Sequence, residues 1–162
     1  MKKILALVLA SVLLCASLFA FTSCGEKSDW EKIEEQGFFY CGITVYEPMN
    51  YFDEDGELVG FDTEFAKAVA AKLGVEAKFS PIGWPNKYVE LNSGTIDCIW
   101  NGFTYGMEGE VPRTDYVDFS YAYLENRQVI VTKKDSGLTT KEAFLGLEGV
   151  AEGGSSGQSV AE

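Results

Sequence analysis

Histidine is absent from the 162-residue sequence. Its absence removes the usual imidazole general base and metal ligand, so His-based triads and His-metal sites are excluded. Four cysteines stand at positions 15, 24, 41 and 98. Cys41 and Cys98 fall in apolar, strand-like segments, where two buried thiols and a disulfide are both open readings. Two cysteines without histidine are too few to hold a metal, and the sequence calls for no metal and no cofactor. Asp62 and Asp97 invite a paired-carboxylate reading. Asp62 instead stands where a helix N-cap belongs, and Asp97 at a strand start, where it would bond a nearby loop. Structural roles explain both better than catalysis, so the residues point away from an enzyme. Lys and Arg number 13 against 25 Asp and Glu, a net charge of −12. That sign argues against nucleic acid as a partner. No glycine-rich loop with a phosphate-binding lysine is present.

The positioning elements begin after an address. Met1–Lys3 is basic, residues 4–21 are an apolar run, and small residues lead to Cys24. This order reads as an export signal over residues 1–23, with an uncleaved N-terminal anchor or a plain secreted protein as the competing readings. Phe21-Thr22-Ser23-Cys24 resembles the lipobox of bacterial lipoproteins, with Phe21 where leucine is usual. The resemblance implies cleavage before Cys24, lipid on its sulfur, and a chain anchored to the outer face of the cytoplasmic membrane or on the periplasmic side. Removing residues 1–23 takes two lysines and no acidic residue, which leaves a net charge of −14.

Residues 24–37 read as a lipidated tether and a short charged helix ended by Gly37. Phe38–Tyr46 is apolar and β-branched, a central strand. Asp53-Glu54-Asp55-Gly56 predicts a hairpin turn before Leu58 and Val59. Phe65, Ala66, Val69, Ala70 and Leu73 recur at helical spacing, with Asp62 as the expected N-cap and Gly74 as the stop. Val75–Ser80 predicts a second strand, Asn86–Ser93 a short helix and Ile96–Asn101 a third strand. Strands alternating with helices make an α/β layered domain with a largely parallel sheet. Further on, Tyr116–Tyr123 reads as extended and Asn126–Thr132 as a strand. Thr139–Leu145 reads as a helix opened by a capping box, Gly149–Glu152 as a short strand, and Ser155 onward as a helix start.

Several stretches, taken in order, resemble the bacterial extracellular solute-binding proteins of polar-amino-acid ABC importers, family 3. They are residues 42–52 (GITVYEPMNYF), 58–62 (LVGFD), 66–75 (AKAVAAKLGV), 91–104 (LNSGTIDCIWNGFT), 117–120 (VDFS) and 153–156 (GGSS). The resemblance runs from about Phe38 to the end. It implies a two-lobed periplasmic-binding-protein-like clamp that holds a free amino acid in the cleft between lobes. Lobe 1 (38–122) would be nearly complete, a first hinge strand would span 123–127, and lobe 2 (128–162) would be only begun. The chain would thus be truncated relative to the family. The implied partners are an ABC permease and its ATPase subunit. A ligand-sensing receptor module, or an enzyme such as a dehydratase, on the same fold is the alternative.

The resemblance also implies a site. A planar, two-pronged donor suits a ligand carboxylate, and Arg113 is the lobe 1 arginine available. Counting from Thr104 by the family spacing falls about four residues short of it, so residues 106–111 must bulge outward for Arg113 to serve. A surface arginine in a long loop is the competing reading. Asn101, Gly102 and Thr104 match the strand end that faces the ligand, beyond the carboxyl ends of parallel strands. Tyr46 and Trp84 match aromatics that stack on the ligand, with core packing as the competing reading. Ser155 and Ser156 match a lobe 2 loop opening a helix, where backbone amides attract a carboxylate; a plain N-cap serine is the alternative.

Overall fold

The computed structural model describes residues 27–161. The predicted export signal, Cys15 and Cys24 lie outside those residues. The chain divides into two compact units, Met1–Lys32 and Ile33–Glu162. In the first, Ser28 and Glu31 form a capping box at the start of helix α1 (Asp29–Gln36). The Ser28 hydroxyl accepts the Glu31 amide at 3.2 Å, and the Glu31 carboxylate accepts the Ser28 amide at 2.7 Å.

The second unit takes in the end of α1 from Ile33 and then β1 (Phe38–Ile43). Phe39, Cys41 and Ile43 turn into the core while Tyr40 faces out, the period-2 pattern of a strand. A hairpin of β2 (Tyr51–Phe52) and β3 (Leu58–Val59) follows, turned by Asp53, whose carboxylate accepts the Asp55 and Glu57 amides. Helix α2 (Phe61–Leu73) then crosses over the sheet. Ala66 and Ala70, one turn apart, let its backbone approach β1 closely, and they share the core with Phe39, Cys41 and Ile43. Strand β4 (Glu76–Pro81) returns parallel to β1, and β5 (Cys98–Ile99) pairs on its other edge, giving the order β4-β1-β5. A 3₁₀ turn at Trp84–Asn86 and helix α3 (Lys87–Asn92) connect β4 to β5. The carboxyl ends of the three strands therefore open toward residues 44–46, 82–84 and 100–104, where ligand-facing groups belong.

Two glycines are dictated by backbone. Gly74 ends α2 in the left-handed region, with its amide on the carbonyls of Ala70 and Ala71. Gly60 precedes α2 at φ 119°, and a Cβ there would sit 2.3 Å from the Met49 carbonyl oxygen. Gly60, rather than the expected Asp62, holds the N-cap position. Asp62 lies inside the first turn with its side chain turned into the core, so it cannot cap. Asp97, expected to bond a loop, instead accepts the Tyr40 amide of β1 at 2.7 Å.

After β5 comes a second hairpin, β6 (Met107–Glu108) with β7 (Val111–Pro112), turned at Gly109. Beyond Asp115 the expectations part from the structure. No residue of 123–132 joins a strand ladder, so the predicted strand over 126–132 and the hinge strand over 123–127 are absent as paired elements. The same holds for 149–152. β-branched residues supply propensity, but a strand exists only where a neighbour completes its hydrogen bonds. The 139–145 helix shrinks to a 3₁₀ turn at Lys141–Phe144, and helix α4 spans Ser156–Ala161.

The cysteine pair, left open as two thiols or a disulfide, stands here as two thiols. Cys41 and Cys98 are directly opposed on β1 and β5 and are free thiols, with the Cys98 sulfur 4.0 Å from that of Cys41. A disulfide needs about 2.05 Å. The hydrogen bond from Cys98 and burial both push the Cys41 thiol above its ordinary range.

Candidate functional site

A cleft of about 940 Å³ lies at the carboxyl end of the parallel sheet. That is toward the large end of small-molecule sites, roughly 300–1,000 Å³. Thr44, Tyr46 and Asn50 come from the segment after β1, Trp84 from the turn after β4, and Asn101 through Thr104 from the segment after β5. Residues of 119–131 and 152–157 close the other sides. Tyr46, Trp84, Asn101, Gly102, Thr104, Arg113, Ser155 and Ser156 all line this one cleft.

Their environments differ. Tyr46 is 68% exposed, its ring open to the cleft, while its backbone bridges to Asn50. Trp84 is buried, edge-on to Phe103, and its indole N–H donates to the Gly154 carbonyl at 3.1 Å. The Asn101 amide donates to the Thr44 hydroxyl at 3.0 Å, and the Asn101 carbonyl accepts the Tyr123 hydroxyl. A Cβ on Gly102 would meet nothing, so the backbone there is open to a ligand. Thr104 accepts the Asn126 amide on its hydroxyl at 2.7 Å. Ser155 caps α4, its hydroxyl accepting the Gln158 amide at 3.1 Å, which is the N-cap reading.

Arg113 reaches this cleft because the residues before it loop out. Its amide donates to the Gly106 carbonyl at 2.9 Å, so the chain leaves at Gly106, turns through the β6–β7 hairpin and returns beside its starting point. The Arg113 side chain is only 1% exposed. One terminal nitrogen donates to the Thr104 carbonyl and the other to the Gly154 carbonyl, each at 3.0 Å. The guanidinium lies over the Phe103 ring at 4.8 Å and the Trp84 ring at 5.8 Å. Behind it stand groups that local sequence patterns did not reveal. Lys87, also 1% exposed, donates to Glu108 at 3.0 Å, and the Tyr88 hydroxyl donates to the same carboxylate at 2.8 Å. Burial alone would raise the Glu108 carboxyl, but the Tyr88 hydroxyl and the Lys87 and Arg113 charges outweigh it and hold it below the ordinary carboxylate range.

A second unforeseen pair couples Tyr123 to α2. The Tyr123 hydroxyl donates to Asp62 at 2.9 Å and its ring packs on Phe65. Burial pushes both groups up, Asp62 above its ordinary value and Tyr123 further still beside the carboxylate. Among the described residues no group of three or more His, Cys, Asp or Glu gathers as a metal site would require.

Residues 41–151 match the bacterial extracellular solute-binding proteins, family 3. The chain belongs to that family. Among curated relatives, the L-cystine-binding protein TcyA of Bacillus subtilis is 32% identical over 88% of this chain and 55% of its own length. Cyclohexadienyl dehydratase of Pseudomonas aeruginosa is 30% identical over 90% of this chain and 52% of its own. Among solved structures, an ABC uptake transporter substrate-binding protein from Streptococcus pneumoniae with bound histidine is similar at 36% identity and TM-score 0.54, over 61% of this chain and 39% of that one. A point mutant of the arginine-bound domain 1 of TmArgBP is similar at 34% identity and TM-score 0.53, over 58% of this chain and 70% of that one. The chain spans about half the length of the curated relatives it matches. Its fold is the α/β lobe of this periplasmic-binding-protein-like family.

Proposed function

We propose that this solute-binding family member captures a free amino acid in the cleft and delivers it to an ABC permease driven by a partner ATPase. The observation that carries the reading is convergence. Residues from five separate segments, singled out by the family resemblance, meet in one cleft with a buried arginine at its wall. Arg113 would receive the ligand carboxylate on its two terminal nitrogens, now held by the Thr104 and Gly154 carbonyls. The Gly154 carbonyl thus occupies a place a carboxylate oxygen would take, and binding would displace it. Trp84 would add a donor from its indole, and Tyr46 an open aromatic face for the ligand side chain. Asn101, Gly102 and Thr104 would bond the ammonium or carboxylate, with Ser155 and Ser156 closing from the far side.

The reading is of a binder rather than an enzyme. The sequence has no histidine, and the acidic residues lining the cleft, Glu125 and Glu152, are exposed. We further propose a signal over residues 1–23, lipid on Cys24, lobe 1 over 38–122, a hinge over 123–127 and lobe 2 from 128. The arginine-bound domain 1 of TmArgBP supports testing the present chain directly. Calorimetry against the twenty common amino acids and cystine should find at least one saturable ligand. Heat of dilution alone with every one of them would sink the reading.

A further inference from the structure

We propose that Glu108 is the positioning residue of Arg113, delivered by the β6–β7 hairpin to hold the guanidinium at the cleft wall. The inference rests on reading Arg113 as the carboxylate partner. The backbone argument comes first. Because Gly106 and Arg113 are already hydrogen-bonded to each other, the hairpin between them adds nothing to the path along the cleft. What it adds is one side chain. Glu108 does not line the cleft; it sits behind it, facing two cations that are each only 1% exposed.

The charge argument follows. A buried cation without a counter-charge is costly, and a long side chain then swings toward water. The ion pairs recorded for Lys87 and Arg113 both go to Glu108. Its Oε1 accepts Lys87 at 3.0 Å and its Oε2 accepts the Tyr88 hydroxyl at 2.8 Å. The Arg113 Nε lies 3.5 Å from Oε2 and has no hydrogen-bond partner. The pull on Arg113 is therefore ionic, exerted on the guanidinium edge that faces away from the two terminal nitrogens. Those nitrogens stay aimed at the cleft. Among the described residues two cations share one carboxylate, which leaves one positive charge over and fits a ligand that brings a single carboxylate to this wall. Space is tight beside the cluster: a Cβ on Gly154 would lie 3.3 Å from the Glu108 Oε1, and Gly154 adopts φ 71°, a conformation that favours glycine.

Two measurements test this. The first needs no ligand. Butanedione modifies accessible guanidinium groups, and the sequence has only Arg113 and the exposed Arg127. Peptide mapping of the wild-type chain should show Arg127 modified and Arg113 protected. Glu108→Ala should bring Arg113 toward the Arg127 rate. Glu108→Gln, which keeps one carbonyl acceptor and the side-chain shape but not the charge, should move it in the same direction. Arg113 as protected in both variants as in wild type overturns the proposal. The second measurement uses a ligand found for the wild type and its carboxamide analogue. Glu108→Ala should weaken the carboxylate ligand roughly tenfold, about one charge-assisted contact, and leave the carboxamide within about twofold. An equal loss on both ligands would mean Glu108 merely supports the fold. If the wild type binds no amino acid, the functional reading fails, while the modification rates still decide whether Glu108 holds Arg113.

Discussion

At the scale of single residues, the cleft's chemistry depends on charges taken out of water. Arg113 is the sharpest case, because its guanidinium is 1% exposed and stacked on aromatic rings. Removing one member of a desolvated charge pair costs about 2–5 kcal/mol, so Arg113→Ala should weaken amino-acid binding roughly 30- to several-thousand-fold. Lys should rescue only partly, since an ammonium cannot reproduce the planar fork. Calorimetry decides it; binding within about twofold of wild type would return Arg113 to a purely structural part. Asp62 offers a test by pH. It is fully buried, one oxygen accepts from Tyr123 and the other has no partner. Burial raises its pKa, opposed only by the Tyr123 hydrogen bond. A carboxyl raised in the folded state disfavours folding once it ionises and is harmless below the unfolded value near 3.8. Asp62→Asn keeps an acceptor for Tyr123 and removes the charge. Its melting temperature should exceed wild type at neutral pH, and the gap should close as pH falls toward 3.8. A gap constant across that range would mean the carboxylate is not the cost.

At the scale of elements, what was legible was what the local sequence controls. The period-2 run of β1, the helical spacing and Gly74 stop of α2, and the Asp53 turn all stood where they were expected. The start of α2 was misread because an aspartate in the first turn resembles a cap, whereas the backbone needed φ 119° at Gly60. The Glu108–Lys87 pair was invisible for a related reason: its members lie 21 residues apart, and only the closure of the hairpin brings them together. Residues 126–132 were misread the other way, since propensity predicts strand but no partner strand pairs with them. Two predictions follow from these elements. Gly60→Ala must both strain a left-handed φ and clear the Met49 carbonyl, so it should cost at least about 1–3 kcal/mol by denaturant melting. A loss under about 0.5 kcal/mol would mean the loop before α2 adjusts freely. Amides of β1 and β4 should exchange slowly, and those of 123–132, which lack ladder bonds and are exposed, should exchange fast. Equal protection across both segments would contradict the absence of ladder bonds in 123–132.

At the scale of the whole molecule, the acidic charge and the N-terminal address have to be read together. A body of net charge −14 after removal of residues 1–23 stays soluble and is repelled by anionic headgroups. Held by electrostatics alone, it would leave the membrane. Among the described residues no helix is long and apolar enough to cross a bilayer. If the binder is attached beside a permease, the N-terminal segment offers two candidate anchors, the apolar run and lipid on Cys24. They make opposite demands. Anchoring by the run needs residues 4–21 retained, whereas lipidation removes them and leaves acyl chains on Cys24. Expression of the chain with a clickable fatty-acid analogue, followed by detergent phase separation and intact mass, distinguishes them. The wild type should take up label, enter the detergent phase and have lost residues 1–23. Cys24→Ala should take up no label and keep its signal. Label-free wild-type protein with residues 1–23 still attached would instead assign the anchor to the apolar run.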